Sequence, residues 1–194
     1  MANTETVRRE SWWVLRAQSG DREALNDLLK AVQEPLYRYI LSLARDEHLA
    51  EDVLQEVFIR IYRKLRWLRE PDVFRSWAYR IATRETLRRL KRERRWDDQV
   101  RDEATLQAIP TPPSREELAA DRIEHLSQSL AKLSPASRAV VVLYYLHEMS
   151  LGEVAGVLEI PLGTVKSRLS YGLRSMRLQL QEEQIGGSDV GKKD

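Results

Sequence analysis

The chain has 194 residues, among them 32 Lys or Arg, 30 Asp or Glu, and no cysteine. The lack of cysteine excludes disulfides, thiolate nucleophiles and cysteine-ligated metal sites. No segment approaches the roughly 18 apolar residues that a membrane span requires, and the N-terminus lacks the apolar core of a signal peptide. We therefore expect a cytoplasmic protein without direct membrane insertion.

The titratable residues form no recognisable catalytic constellation. His48, His125 and His147 are far apart in the sequence and share no i,i+4 helical spacing, so we expect neither a metal site nor a cofactor. No acid/base pair, activated nucleophile or phosphate-binding loop is evident. The sequence therefore predicts no catalytic residue, and we do not expect an enzyme.

Charge is unevenly distributed, although the formal net charge is only +2. Residues 75–95 contain nine Lys or Arg against two acids, whereas residues 97–124 contain eight acids against three Arg. Such a separation of sign indicates surfaces with different partners.

The first half of the chain shows helical periodicity and no alternating strand pattern. After a tail at residues 1–13, Asp21 is a plausible N-cap of the first helix, and Pro35 marks a break or a fresh start. A third helix covers about residues 49–65, and a turn at residues 70–72 precedes a long helix from about Val73 to Arg95. These helices would form a first domain over residues 14–96.

The second half begins with an acidic segment that contains three prolines, which predicts a flexible linker over residues 97–122. Ser134 followed by Pro135 is typical of a helix start. A second helical domain is predicted over residues 123–181, followed by a disordered tail at residues 182–194 that is rich in Gly and Lys. The predicted fold class is thus all-α, with two small domains.

Residues 150–180 have the pattern of a helix-turn-helix. Ser150 and Glu153 match a capping box ahead of one short apolar helix. After a break at residues 159–163, a second helix places Val165 and Leu169 on one apolar stripe. Two helices joined by a turn of a few residues are the arrangement that inserts a helix into the DNA major groove.

The opposite face of that second helix carries hydroxyls, an aromatic ring and cations. Such side chains bond base edges and phosphates, and the small ones permit close approach. An ordinary solvated basic helix is the alternative. The predicted DNA contacts are Thr164, Lys166, Ser167, Ser170, Tyr171, Arg174 and Arg177.

The long helix before the linker changes character along one face. Phe74, Trp77, Ala78 and Ile81 form an apolar stripe, which at the same spacing becomes a row of cations. Neutralised phosphates would explain that row, and a charged helix end is the alternative. Phe74 and Trp77 are predicted to be core residues, so the turn at residues 69–72 is the expected place to receive an unpaired base.

The outer face of the third helix carries Glu51, Asp52, Gln55 and Glu56. Acids and an amide at this spacing suit either a solvated surface or a docking face for a basic partner. The spacing does not decide between them.

Three motifs resemble one family, the extracytoplasmic-function sigma factors of the sigma-70 class. They are Ala-Glu-Asp-Val-Leu-Gln-Glu-Val-Phe at residues 50–58, Phe-Arg-Ser-Trp-Ala-Tyr-Arg-Ile-Ala at residues 74–82, and Pro-Leu-Gly-Thr-Val-Lys-Ser-Arg at residues 161–168. The resemblance covers almost everything from Leu15 to Leu180. It implies a region 2 helical bundle and a region 4 helix-turn-helix.

The resemblance implies partners as well as a fold. Region 2 would hold the clamp helices of core RNA polymerase through the face around Asp52 and Gln55, and would melt and read the −10 element of promoter DNA. Region 4 would read the −35 element and dock on the polymerase flap, and an anti-sigma protein would hold the free factor. The implied −10 contacts are Arg69, Asp72, Arg80, Arg84, Arg88, Lys91, Arg92 and Arg95.

Three positions depart from the family pattern. Arg84 and Arg88 stand where the family often has Asn and an acid, and Ser170 stands where a bulky residue is common. No base preference at −10 or −35 is therefore carried over. The rival interpretation is a helix-turn-helix regulator that binds duplex DNA at a palindrome independently of polymerase. A more distant rival is an adaptor that occupies polymerase without reading DNA.

Overall fold

The computed structural model describes residues 4–100, 126 and 128–186, with side chains described for residues 5–92, 126 and 128–178. Over these residues the fold is all-α, as the periodicity predicts. Short 3-10 helices at Leu65–Trp67 and Pro71–Val73 join the third and fourth helices. The helices are α1 (Thr4–Gln18), α2 (Arg22–Ala44), α3 (Glu47–Lys64), α4 (Phe74–Val100), α5 (Pro135–Tyr145), α6 (Leu151–Leu158) and α7 (Leu162–Gly186).

Helix α1 corrects the prediction of an N-terminal tail at residues 1–13, since the chain is helical from Thr4. Its inner face buries Val14 completely, together with Glu10 and Ser11. The two polar residues make bonds to α4 and to the turn before it. Because much of this face is polar, hydrophobic periodicity could not reveal the helix.

Helix α2 begins as predicted, with the Asp21 carboxylate accepting hydrogen bonds of 2.9 and 3.0 Å from the amides of Glu23 and Ala24. The predicted break at Pro35 is wrong, because α2 continues through it to Ala44. A proline inside a helix costs about 3 kcal/mol. Fully buried residues on both sides, such as Leu28 and Leu36, offset that cost by packing.

Helix α4 extends to Val100, five residues beyond the predicted end at Arg95, so the first residues of the predicted linker are helical. Residues 101–125, which hold most of that linker, lie outside the described residues. A partly buried ion pair fixes α4 to α3. Its carboxylate, on Glu85, lies 2.8 Å from the Arg60 guanidinium.

The C-terminal module contains the short helices α5 and α6 and the 25-residue helix α7. The Ser134 hydroxyl accepts from the Ser137 amide at the start of α5, and both bonds of the Ser150–Glu153 capping box are present in α6. Helix α7 runs on to Gly186, which corrects the prediction of a tail from residue 182, while residues 187–194 lie outside the described residues. Gly172 lets α7 approach α5 closely, because a Cβ there would lie 2.9 Å from Val141 Cγ2.

The two modules are in contact with each other. One continuous cluster of buried apolar residues includes Phe74 and Tyr79 of the first module and Leu143 and Val154 of the second. The sequence gives no indication of this contact. The contact between the modules determines which of the predicted site residues are exposed.

Candidate nucleic-acid interface

The turn between α6 and α7 fixes the helix-turn-helix. Glu159 ends α6 in a left-handed conformation, with φ of 55°, and its amide bonds the Ala155 carbonyl. Val154, Val157 and Val165, at 0–1% exposure, anchor both helices on the core. The orientation of α7 is therefore set by packing, and its outer face is left to solvent.

The outer face of α7 is exposed as predicted. Tyr171 is 63% exposed, and Thr164 is half-buried, with its carbonyl accepting a 3.0 Å hydrogen bond from the Ser167 hydroxyl. Residues 162–178 contain four cations and no acid, so this stretch of α7 has a net positive charge. The exposed members of the predicted set are Lys166, Ser167, Ser170, Tyr171, Arg174 and Arg177.

The cations of α4 do not form one free face. Arg80 is half-buried beside α6, and Arg84 pairs with Glu159, at 2.5 Å between guanidinium and carboxylate. Hydrogen bonding by Arg84 lowers the pKa of the Glu159 carboxyl. Lys91 and Arg92 are exposed, and the side chain of Arg95 lies outside the described residues.

Arg88 and Arg89 point towards α3. Arg88 lies 2.5 Å from the buried Glu85 and 3.2 Å from Glu56, and Arg89 lies 3.4 Å from Asp52. The pairs with Glu56 and Asp52 are solvent-exposed, and each such pair contributes only about 0–1 kcal/mol. They can therefore exchange for other partners at little cost.

The predicted polymerase-docking face lies on the outside of α3. Glu51, Asp52 and Gln55 are exposed, and Glu56 is half-buried. On the same helix face, Ile59 and Tyr62 expose apolar surface, at 49% and 67%. Exposed apolar and aromatic side chains such as Ile59 and Tyr62 are typical of the centre of a protein-binding face, and the acids and amide beside them suit its polar rim.

The turn before α4 forms a cavity of about 380 Å³, lined by Lys64, Trp67, Leu68, Arg69 and Trp77. Trp67 is 62% exposed, and the Arg66 guanidinium lies 4.2 Å from the centre of its ring. Phe74 is buried, as predicted, whereas Trp77 is only half-buried and reaches the cavity wall. An aromatic and cationic cavity is a suitable site for an unpaired base.

Asp72 does not line this cavity. Its carboxylate accepts a 2.5 Å hydrogen bond from the Ser11 hydroxyl. The amide of Gln18 donates 2.8 Å hydrogen bonds to the carbonyls of Leu65 and Leu68. Helix α1 therefore shapes the turn, through residues that sequence reasoning missed because nothing in their local pattern marks such distant bonds.

Two kinds of feature are not found in the part of the chain that the structure describes. Its His, Cys, Asp and Glu residues form no group of three or more that could hold a metal ion. None of its helices is both long enough and apolar enough to span a bilayer.

Comparison with known proteins gives two family matches. The model of sigma-70 region 2 matches residues 11–96, and that of sigma-70 region 4 matches residues 129–178. The chain is 34% identical over 177 residues to the ECF RNA polymerase sigma factor SigL of Mycobacterium tuberculosis, covering 86% of this chain and 92% of the relative. It is 30% identical over 178 residues to the ECF RNA polymerase sigma factor SigW of Bacillus subtilis, covering 87% and 95%.

Two solved structures have a similar fold. One is CnrH in complex with the cytosolic domain of CnrY, with a TM-score of 0.65 at 23% identity, covering 90% of this chain and 98% of that one. The other is the sigma factor RpoE in complex with the anti-sigma factor NepR from Bartonella quintana, with a TM-score of 0.62 at 21% identity, covering 80% and 96%. With both sigma-70 regions in order and relatives aligned over most of their length, the chain belongs to the ECF sigma factors of the sigma-70 family.

Proposed function

We propose that this chain is an alternative sigma factor, which binds core RNA polymerase in the cytoplasm and directs promoter recognition, −10 melting and transcription initiation. It acts by binding and is not an enzyme. The observation that carries the proposal is the combination of a cationic outer face on α7 and an aromatic, cationic cavity before α4 with a separate carboxylate-amide face on α3. A regulator that binds duplex DNA alone would not need the third face.

Helix α7 would read the −35 element. Its exposed hydroxyls and cations suit contacts to base edges and phosphates, and its buried face is fixed by Val165. Tyr171 adds an exposed ring that can pack against a sugar or a thymine methyl. The rest of the module would dock on the polymerase flap.

The cavity before α4 would receive an unpaired base of the −10 element. Trp67 offers a ring face and Arg69 a cation, and base stacking on an aromatic side chain contributes about 1–3 kcal/mol. The exposed cations Lys91 and Arg92 would hold the backbone of the opened strand. Holding unpaired bases would supply free energy for strand opening.

The α3 face would dock on the clamp helices of core polymerase. Arg88 and Arg89 already pair with Glu56 and Asp52, which indicates that these carboxylates accept guanidinium partners. Basic residues of the polymerase would replace them. Release from Glu56 would leave Arg88 held by Glu85 alone.

An anti-sigma protein would hold the free factor inactive. The two solved structures of similar fold are both complexes, one with the cytosolic domain of CnrY and one with the anti-sigma factor NepR. We extend that type of partner to this chain, without assigning the surface that it covers.

The test is run-off transcription with purified core polymerase and promoters from the neighbouring genes. The expected result is new start sites that depend on the chain. Reversing Arg88 and Arg92 to Glu should abolish them, while the matched reversal of Arg22 and Lys30, both exposed on α2, should not. If the chain bound duplex DNA without core polymerase and produced no start site on any promoter, it would be a helix-turn-helix regulator instead.

A further inference from the structure

The cavity before α4 has one stacking surface already in place. Trp67 lines the cavity with 62% of its surface exposed, and the Arg66 guanidinium lies 4.2 Å from the centre of its ring. A cation over an aromatic ring is attracted to the ring face, so Arg66 holds the indole in place. Because Arg66 covers one face, the other face is the one on which a base can stack.

The polar side chains that line the cavity are all hydrogen-bond donors. Among the described residues, the lining consists of Lys64, Trp67, Leu68, Arg69 and Trp77. Lysine and arginine carry only donors, the indole Nε1–H is a donor, and leucine has no polar group in its side chain. None of these described side chains can therefore accept a hydrogen bond from a base.

The acids of the turn do not change this balance. The carboxylate of Asp72 accepts a 2.5 Å hydrogen bond from the Ser11 hydroxyl, on the side of α1. Glu70 is exposed, and neither acid belongs to the described lining of the cavity. The carboxylates that follow Arg69 in the chain thus form no part of the cavity wall.

Gln18 occupies two backbone acceptors of the same turn. Its side-chain amide donates hydrogen bonds of 2.8 Å to the carbonyls of Leu65 and Leu68. The Leu65 carbonyl also accepts a 3.0 Å bond from the Leu68 amide, so both of its lone pairs are used. Gln18 thereby competes for these carbonyls with the exocyclic amine of any base that enters the cavity.

A cavity that only donates hydrogen bonds fits a base edge that only accepts them. Guanine presents the acceptors O6 and N7 side by side, and arginine or lysine bonded to both is the commonest specific contact to a base. Adenine places an N6 amine beside N7, cytosine carries an N4 amine, and thymine offers O4 beside a methyl group. An amine turned towards Lys64 and Arg69 would be left without an acceptor, which is costly in a site shielded from water.

We propose that the cavity before α4 selects guanine as the unpaired base of the −10 element. Arg69 pairs with O6 and N7, Trp67 stacks on the ring, and Gln18 is a positioning residue that withholds acceptors from bases with an amine. This inference rests on the proposed function, because it names the base that the proposed site receives.

The test uses fork-junction DNA from a promoter that the run-off assay has identified, with a −35 duplex and a single non-template strand through the −10 element. Each position of that strand carries each of the four bases in turn, and binding of the holoenzyme is measured. At one position guanine should bind about tenfold more tightly than adenine or cytosine. Trp67→Leu and Arg69→Ala should lose this preference, whereas Trp12→Leu, at a tryptophan of 59% exposure on α1, should keep it.

Modified bases at that position identify the atoms that are read. Inosine keeps O6 and N7 and lacks only the 2-amino group, so it should bind as well as guanine. The analogue 7-deazaguanine lacks the N7 acceptor, so it should lose most of the preference.

Gln18→Ala separates selection from structural support. Because it frees the carbonyls of Leu65 and Leu68, it should strengthen binding of adenine and cytosine and narrow their difference from guanine. A merely structural role would weaken all four bases equally. The matched control is Gln33→Ala, at an exposed amide on α2, which should leave all four affinities unchanged.

Circular dichroism establishes that each variant is folded, and Trp67→Phe, which keeps an aromatic ring, should retain the preference. Selection of guanine would be overturned if the position that responds to Trp67→Leu preferred another base, if no position responded, or if 7-deazaguanine bound as well as guanine. Each of these results leaves the proposed function in place. A holoenzyme that binds no fork at all would overturn both.

Discussion

Arg75 of α4 binds the carboxylate of Glu10 on α1, 65 residues away, with a distance of 2.5 Å from its terminal nitrogen to the nearer oxygen. Glu10 is only 3% exposed, and its hydrogen bond raises the pKa of the Arg75 guanidinium. This pair fixes α1 beside the turn that carries the proposed base cavity.

Replacing Glu10 by Gln should destabilise the first module by roughly 3 kcal/mol, because it leaves a largely buried guanidinium without its counter-ion. Urea denaturation followed by circular dichroism measures the loss. The double variant Glu10→Gln/Arg75→Gln should recover part of it, since both charges are then gone. Equal stability of Glu10→Gln and the unmodified chain would show that the pair contributes nothing.

The pH dependence of stability should reveal His147. Burial, followed by the charge of Arg75, lowers its pKa from 6.5 to about 4. The folded chain thus binds fewer protons than the unfolded chain between these values, so His147 contributes stability that is complete above pH 6.5 and is lost as pH falls towards 4. The titratable groups around it are Tyr39, Tyr79, Arg75 and, behind Arg75, Glu10.

The measurement is the urea midpoint at a series of pH values. In His147→Gln the urea midpoint should rise less steeply from pH 4 to pH 6.5 than in the unmodified chain, because the contribution of His147 is gone. A slope remains in both proteins, since their carboxylates still titrate. Parallel profiles for the two proteins would contradict the assigned role of His147.

Gly172→Ala should destabilise the second module by about 1–2 kcal/mol. The new methyl group would meet Val141 Cγ2 at 2.9 Å and Leu133 Cδ1 at 3.5 Å, and overpacking of this kind outweighs the better helix propensity of alanine. Gly163→Ala is the matched control, since nothing lies within 4 Å of its Cβ position. Thermal unfolding should show a lower Tm for the first variant only, and the addition of Val141→Ala should relieve the clash.

Asp52→Ala and Gln55→Ala should each weaken binding to core polymerase, by about tenfold if each removes one charge-assisted or buried hydrogen bond. Titration of a dye-labelled chain with core polymerase gives the affinity. Asp27→Ala, another exposed position, should bind normally. If all three variants bind equally well, the docking face lies elsewhere.

Lys166→Ala and Arg174→Ala should each weaken holoenzyme binding to a −35 duplex. If the residue contacts a phosphate, the slope of the logarithm of the binding constant against the logarithm of the salt concentration should become shallower by about one. A residue that contacts a base should also relax specificity at one position. The control is Arg22→Ala, an exposed cation on α2. The α7 assignment would be wrong if both variants kept the salt dependence of the binding constant and the sequence preference of the unmodified factor.

The sequence predicted correctly those helix starts that depend on hydrogen bonds between near neighbours in the chain. The Asp21 cap, the Ser134 cap and the capping box of Ser150 and Glu153 are present, because each depends on residues two or three positions apart. The break at Pro35 was wrong, since tertiary packing of α2 outweighed the local preference of proline.

The site was predictable only in part, for a similar reason. The outward face of α7 follows from its apolar stripe, so exposure of Lys166 and Arg174 could be read from the sequence. The pairing of Arg84 with Glu159 joins residues 75 positions apart, and no periodicity contains that information. The same holds for Gln18 and for the hydrogen bond between Tyr79 and His147.

The two hydrogen bonds from Gln18 to the carbonyls of Leu65 and Leu68 have a consequence for natural variation. They hold the rim of the cavity from a helix that touches no DNA in the proposed complex. If the cavity receives a base as proposed, substitution of Gln18 would change which promoters are used, while every nucleotide-contacting side chain remains the same.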